Sequence, residues 1–92
     1  MIISFADKDT ERLARLESVQ RFQSFERIAL RKLAQLEVAS RLEDLRIPPG
    51  NRLEQLKSDR EGQYSIRIND QYRICFEWTS KGPRAVEICD YH

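Results

Sequence analysis

The chain has one histidine among its 92 residues, and only two cysteines, three glycines and three prolines. Each scarcity removes a class of protein. The cysteines, Cys75 and Cys89, form no CxxC and have no histidine at ligand spacing, so neither a zinc site nor a disulfide framework is indicated, and no metal or cofactor is expected. Glycine is too sparse for a phosphate-cradling loop. The single histidine has no hydroxyl or thiol partner at a recognisable elbow, which removes the Ser/His/Asp and Cys/His routes of acyl transfer. No hydrophobic run approaches a membrane span, and residues 1–5 are followed at once by Asp7, Lys8 and Asp9, unlike a signal peptide. A cytoplasmic protein without membrane contact is expected. Charge of either sign is also missing in net terms: sixteen Lys and Arg face fifteen Asp and Glu, a formal charge of +1. No global field draws nucleic acid, so any anion site must be a local cluster.

What is present is 40% hydrophobic and 34% charged, the composition of one folded domain spanning residues 1–92. Ile2, Ile3 and Phe5 read as a short opening strand, and residues 7–17 as a first helix burying Leu13 and Leu16. A second helix is clearer. Ser24 offers an N-cap, and Phe25, Ile28, Ala29, Leu33 and Leu36 recur at helical spacing, with Glu26, Arg27, Arg31, Lys32 and Glu37 as a solvated face. Ile47, Pro48, Pro49, Gly50 and Asn51 cannot continue a helix and form a rigid connector. Beyond it the period changes to two. Leu53 and Leu56 suggest a strand start, followed by Tyr64, Ile66, Ile68, then Tyr72, Ile74, Phe76, Trp78, then Val86, Ile88. The expected fold is α+β, with two N-terminal helices packed on one face of a mainly antiparallel C-terminal sheet.

Even-numbered residues of this meander are large and apolar and belong under the helices. The odd face carries Ser65, Arg67, Arg73, Cys75, Glu77, Glu87, Cys89 and Tyr91. Both arms of the first hairpin keep this parity only if Asn69, Asp70 and Gln71 form an odd-length loop, which sets Arg67 opposite Arg73. If the last strand pairs with the strand of Arg73, that residue lies beside Cys89 and diagonal to Tyr91. Facing like charges are destabilising by roughly 0.2–1 kcal/mol. Either an anion sits between the two arginines or Glu77 and Glu87 neutralise them. Lys57 and Arg60, in Lys57, Ser58, Asp59, Arg60, Glu61, Gly62, approach the same sheet edge or simply form a charged turn.

The chain closes on Asp90, Tyr91 and His92, read either as a solvated tail or as part of a site. Cations, a phenol and an imidazole around a polar sheet face suit cleavage of RNA without a metal. A base takes the 2′-OH proton, cations hold the phosphate charge, and an acid protonates the leaving 5′ oxygen.

Leu56 to Gly62, Tyr64, Ser65, Ile66, Tyr72, Arg73, Ile74, and the closing Asp90, Tyr91, His92 together resemble the HigB toxins of the RelE superfamily, with most likeness to their GraT branch. The likeness covers essentially the whole chain, the proline connector from Arg46 to Asn51 included. It implies a type II toxin, a ribosome-dependent mRNA endoribonuclease (mRNA interferase) that cuts the message in the A site. It also implies a helix-turn-helix, HigA-like antitoxin partner, through which alone operator DNA would be bound. By position it assigns catalysis or mRNA holding to Lys57, Arg73, Asp90, Tyr91 and His92. Arg73 and Lys57 are expected on the scissile phosphate, His92 as acid or base, Tyr91 stacked on a base or hydrogen-bonded to the sugar, and Asp90 orienting the terminus. Arg46, Arg52, Arg60 and Arg67 are expected to contact RNA phosphates. Several HigB toxins carry a histidine three residues before the motif lysine, where this chain has Glu54. Either Glu54 serves as a carboxylate base or His92 and Lys57 carry more of the reaction. The competing readings are a ribosome-independent endoribonuclease and a non-catalytic module that binds protein or RNA.

Overall fold

Alternating hydrophobicity in the second half of the chain produces a meander, and the helices of the first half cover one of its faces. The computed structural model describes residues 1–90, and Tyr91 and His92 lie outside the described residues. Helix α1 (Lys8–Ala14), a 3₁₀ turn (Gln20–Phe25) and helix α2 (Glu26–Val38) come first. Two 3₁₀ turns (Leu42–Arg46, Pro49–Asn51) lead to strand β1 (Glu54–Gln55), and a third (Ser58–Arg60) leads to strands β2 (Gln63–Arg67), β3 (Tyr72–Thr79) and β4 (Gly82–Asp90). The sheet order is β1-β2-β3-β4 with each neighbour antiparallel, the α+β arrangement expected. Leu53 and Leu56 flank the short β1 rather than belonging to it.

Asp7 caps α1, its carboxylate accepting from the Thr10 N–H at 3.2 Å, while Asp9 and Glu11 complement the positive end of the helix dipole. The helix stops earlier than residues 7–17 suggested. Leu16 turns left-handed (φ 68°), with bonds from its N–H to the Leu13 carbonyl and from the Glu17 N–H to the Arg12 carbonyl. That is a Schellman ending with leucine in the place usually taken by glycine. It leaves Leu16 78% exposed instead of packed beside Leu13.

Ser24 does not cap α2. The 3₁₀ turn precedes the helix, and Phe25 occupies the cap position without a side-chain hydrogen bond. Ring burial sets this start: the Phe25 ring packs in tilted contacts, its centroid 4.5 Å from that of Tyr72 and 5.7 Å from that of Phe22. Ala29, Leu33 and Leu36 are buried as expected. Lys32 is a correction, since it is buried rather than on the solvated face, and its ammonium donates to the Asn51 side chain. Burial, then the charges of Arg31 and Arg67, lowers its pKa.

Leu13, Phe22, Leu36, Ile66, Ile74 and Phe76 are fully buried where the helices meet the even face of the sheet. The opening strand reduces to one parallel bridge between Phe5 and Val86. Flanking bonds join Ile3 to the Pro83 carbonyl and Val86 to the Ser4 carbonyl, and the buried Thr10 hydroxyl accepts from the Ile88 N–H at 3.0 Å. Together these contacts cover the outer edge of β4, which would otherwise offer unpaired backbone to another chain. Within β4 the register passes from Cys75 opposite Glu87 to Glu77 opposite Arg84, an extra residue absorbed at Ala85 (φ 53°).

Gly82 has φ 131°, and a Cβ there would lie 2.1 Å from the Met1 carbonyl oxygen. Gly82→Ala is expected to lower the unfolding free energy in a urea titration by about 1–3 kcal/mol. Gly50→Ala, which meets nothing within 4 Å, is expected to stay within about 0.5 kcal/mol of wild type. Equal midpoints for the two variants would mean that the N-terminal segment does not secure this edge.

Candidate functional site

Register places Arg67 opposite Arg73 across β2 and β3, and Arg73 opposite Cys89 across β3 and β4, both as parity requires. The two guanidinium groups then part. Arg67 turns to the Asp70 carboxylate in the hairpin loop. Arg73 donates from Nε to the Ser65 hydroxyl at 2.7 Å and from Nη2 to the Arg52 carbonyl at 2.8 Å, with the Glu54 carboxylate 3.9 Å away. Its side chain is only 13% exposed. Neither Glu77 nor Glu87 neutralises this pair, because Glu77 binds Arg84 and Glu87 accepts from Arg60 at 3.1 Å. Arg73 thus has fixed partners on two sides. Among the described residues its Nη1 group makes no hydrogen bond, and a guanidinium presents further donors there.

The odd face is less open than its polarity suggests. Ser65 and Cys75 are buried, and Leu56 is buried too, apart from the main core under the helices. Beside Arg73, Cys75 and Cys89 lie on the same face of the sheet, and the Cys89 thiol is 4.0 Å from the Glu87 carbonyl oxygen. The neighbouring Cys89 sulfur, more than burial, pushes the Cys75 pKa up, and Cys75 in turn lowers that of Cys89 against burial, with Arg60 and Arg73 adding to the lowering.

Arg73 gathers Ser65, Glu54 and the Arg52 backbone into one locus, and Arg60 stands on the same face, bonded to Gln63 at 3.0 Å and to Glu87. Lys57 is exposed at the start of the turn that follows β1, and its side chain makes no hydrogen bond or ion pair among the described residues. Arg46 is exposed at the end of its 3₁₀ turn, outside the Arg73 locus. Arg52 enters the locus by its carbonyl, while its own side chain is exposed. Asp90 pairs with Tyr72 in the ladder and accepts from the Gln71 amide at 3.0 Å. The assignments to Tyr91 and His92 fall outside the described residues. Sequence reasoning missed Asn51 and gave Ser65 no role. Parity alone sets Ser65 diagonal to Arg73, whereas nothing local to Asn51 signals its burial. Among the described residues, no group of three or more His, Cys, Asp or Glu could hold a metal ion and no helix is long and apolar enough to cross a membrane.

Residues 3–92 match the family model of the RelE-like toxin of the HigB type II toxin-antitoxin system. The chain is 42% identical over 80 residues to Toxin HigB-1 of Vibrio cholerae serotype O1, covering 85% of this chain and 84% of that protein. It is 38% identical over 52 residues to an uncharacterized protein of Haemophilus influenzae, 56% of this chain and 52% of the relative. A chain of the YoeB-YefM complex from Staphylococcus aureus superposes with a TM-score of 0.57 at 20% identity, covering 100% of this chain and 98% of that one. At that identity the likeness speaks for the fold: helices over one face of an antiparallel sheet.

The opposed thiol shifts have a direct readout. Iodoacetamide, followed by mass spectrometry, is expected to modify the partly exposed Cys89 well before the buried Cys75. Equal rates at the two thiols would contradict their difference in exposure and in thiolate character.

Proposed function

We propose that this chain, which belongs to the HigB-like family of RelE-like type II toxins, is an mRNA endoribonuclease that cuts the message in the ribosomal A site. The observation that carries this reading is the Arg73 guanidinium, held on two sides by Ser65 and the Arg52 carbonyl on the sheet face away from the helices. A cation fixed before the substrate arrives stabilises developing phosphate charge without reorganising during the reaction. Lys57, exposed at the start of the turn that follows β1, supplies a second cation.

The substrate brings its own nucleophile. The ribose 2′ oxygen attacks phosphorus as a base removes its proton, the bond from phosphorus to the 5′ oxygen breaks, and an acid protonates that oxygen. The products are a 2′,3′-cyclic phosphate and a free 5′-OH. Glu54 suits the role of base, because its carboxylate lies 3.9 Å from the guanidinium assigned to the phosphate, and His92 is left as the acid. Tyr91 stacks on a base and Asp90 orients the terminus. Arg46, Arg52, Arg60 and Arg67 contact RNA phosphates.

A type II toxin acts against an antitoxin, here proposed to be a helix-turn-helix protein of the HigA kind that carries the operator-binding function. A formal charge of +1 gives little general attraction for RNA, which favours delivery of the message by the ribosome over capture of free RNA.

Arg73→Ala and Lys57→Ala are each expected to slow cleavage of A-site mRNA on programmed ribosomes by about 10²–10³-fold, with folding and antitoxin binding retained. Wild-type protein is expected to cut naked RNA poorly. Rapid cleavage of naked RNA would contradict ribosome dependence, and unimpaired variants would remove catalysis from this face.

A further inference from the structure

A buried polar cluster lies behind the connector and takes no part in the chemistry above. Asn51 is wholly buried, its Oδ1 accepting from the Lys32 ammonium. Its Nδ2 donates to Gln35 Oε1 at 2.9 Å, to the Leu45 carbonyl at 3.0 Å and to the Ile47 carbonyl at 3.4 Å. One amide thereby joins adjacent turns of α2 to the connector. The Asn51 N–H also donates to the Pro48 carbonyl at 2.9 Å, closing the 3₁₀ turn. The next residue, Arg52, is left-handed (φ 47°, ψ 55°), a conformation disfavoured for any side chain with a Cβ, so the surroundings must hold it. Its carbonyl in that conformation is the acceptor for Arg73 Nη2. On the other side, Arg73 Nε meets the hydroxyl of Ser65, a residue with no exposed surface.

We infer that Asn51 and Ser65 are positioning residues for Arg73, an assignment that rests on the proposed role of Arg73 at the scissile phosphate. Asn51 holds the Arg52 carbonyl in place through the connector, and Ser65 fixes the guanidinium from the sheet. An arginine side chain is long and rotamer-rich, and neither acceptor alone sets both its reach and its plane. With both in place, the Nη1 edge is presented in one orientation. Loss of either acceptor lets the group swing while leaving its charge on the face. The effect should therefore fall on the chemical step, since binding of the toxin to the ribosome needs charge and shape rather than one guanidinium plane.

The test is a double-mutant cycle read by single-turnover cleavage on programmed ribosomes, with ribosome affinity measured in parallel. Ser65→Ala and Asn51→Ala are each expected to slow the chemical step by about ten- to a hundredfold with ribosome affinity unchanged. Neither should slow it further in an Arg73→Ala background, because the interaction they support is already absent. If Asn51→Ala fails to fold, the isosteric Asn51→Asp retains an acceptor for Lys32 while removing the amide donors, and is expected to behave the same way. Full rate in both Ser65→Ala and the Asn51 variant, or equal slowing in the wild-type and Arg73→Ala backgrounds, overturns the positioning role. Arg73→Ala cleaving at the wild-type rate overturns the catalytic reading itself, and this inference with it.

Discussion

The two-residue alternation of β2, β3 and the part of β4 beyond the bulge at Ala85 is the constraint on which the rest of the molecule depends. It sends Ile66, Ile74, Phe76 and Ile88 to the helices and Ser65, Arg67, Arg73 and Cys89 to the opposite face. A slip of one residue would bury the arginines and expose the isoleucines, so core burial itself enforces the register that puts Arg73 beside Ser65 and Cys89. The helices act through this constraint. They cover the middle of one face, and the capped α1 adds the Thr10 hydroxyl that ties down the backbone of β4.

On the polar face, charge is distributed rather than pooled. Arg60, Arg67 and Arg84 each pair with a carboxylate, Glu87, Asp70 and Glu77 in turn. Pairs this exposed add little to stability. They do prevent a patch of unopposed cations in a chain whose net charge is close to zero. Arg73 differs in being mostly shielded and in using a hydroxyl and a carbonyl, neutral acceptors that fix its geometry without cancelling its charge. Glu54 lies farther off, at 3.9 Å.

Most of the fold was legible, because periodicity marks both the α2 stripe and the meander, and an odd-length loop was enough to set Arg67 against Arg73. What was not legible depends on contacts distant in sequence or on unusual backbone. Lys32 sits among charged residues and looks solvated, yet Asn51, nineteen positions on, gives it a buried acceptor. Leu16 looks like a core residue until the left-handed ending of α1 turns it outward. Arg52 is read from the sequence only for its exposed side chain, whereas it also brings to the site a carbonyl whose direction follows from its own positive φ. The extra residue at Ala85 carries no glycine to announce it. The register that sets Arg67 and Cys89 beside Arg73 could be read from parity, but the partners that orient Arg73 could not.

The central proposal is that this face cleaves RNA by attack of the message's own 2′ oxygen. The most direct measurement places an mRNA with a single 2′-deoxynucleotide at the scissile position on programmed ribosomes and follows cleavage by the wild-type protein. The deoxy message should stay intact while its all-ribose counterpart is cut to a 2′,3′-cyclic phosphate. Cleavage of the deoxy message at the ribose rate would contradict the mechanism.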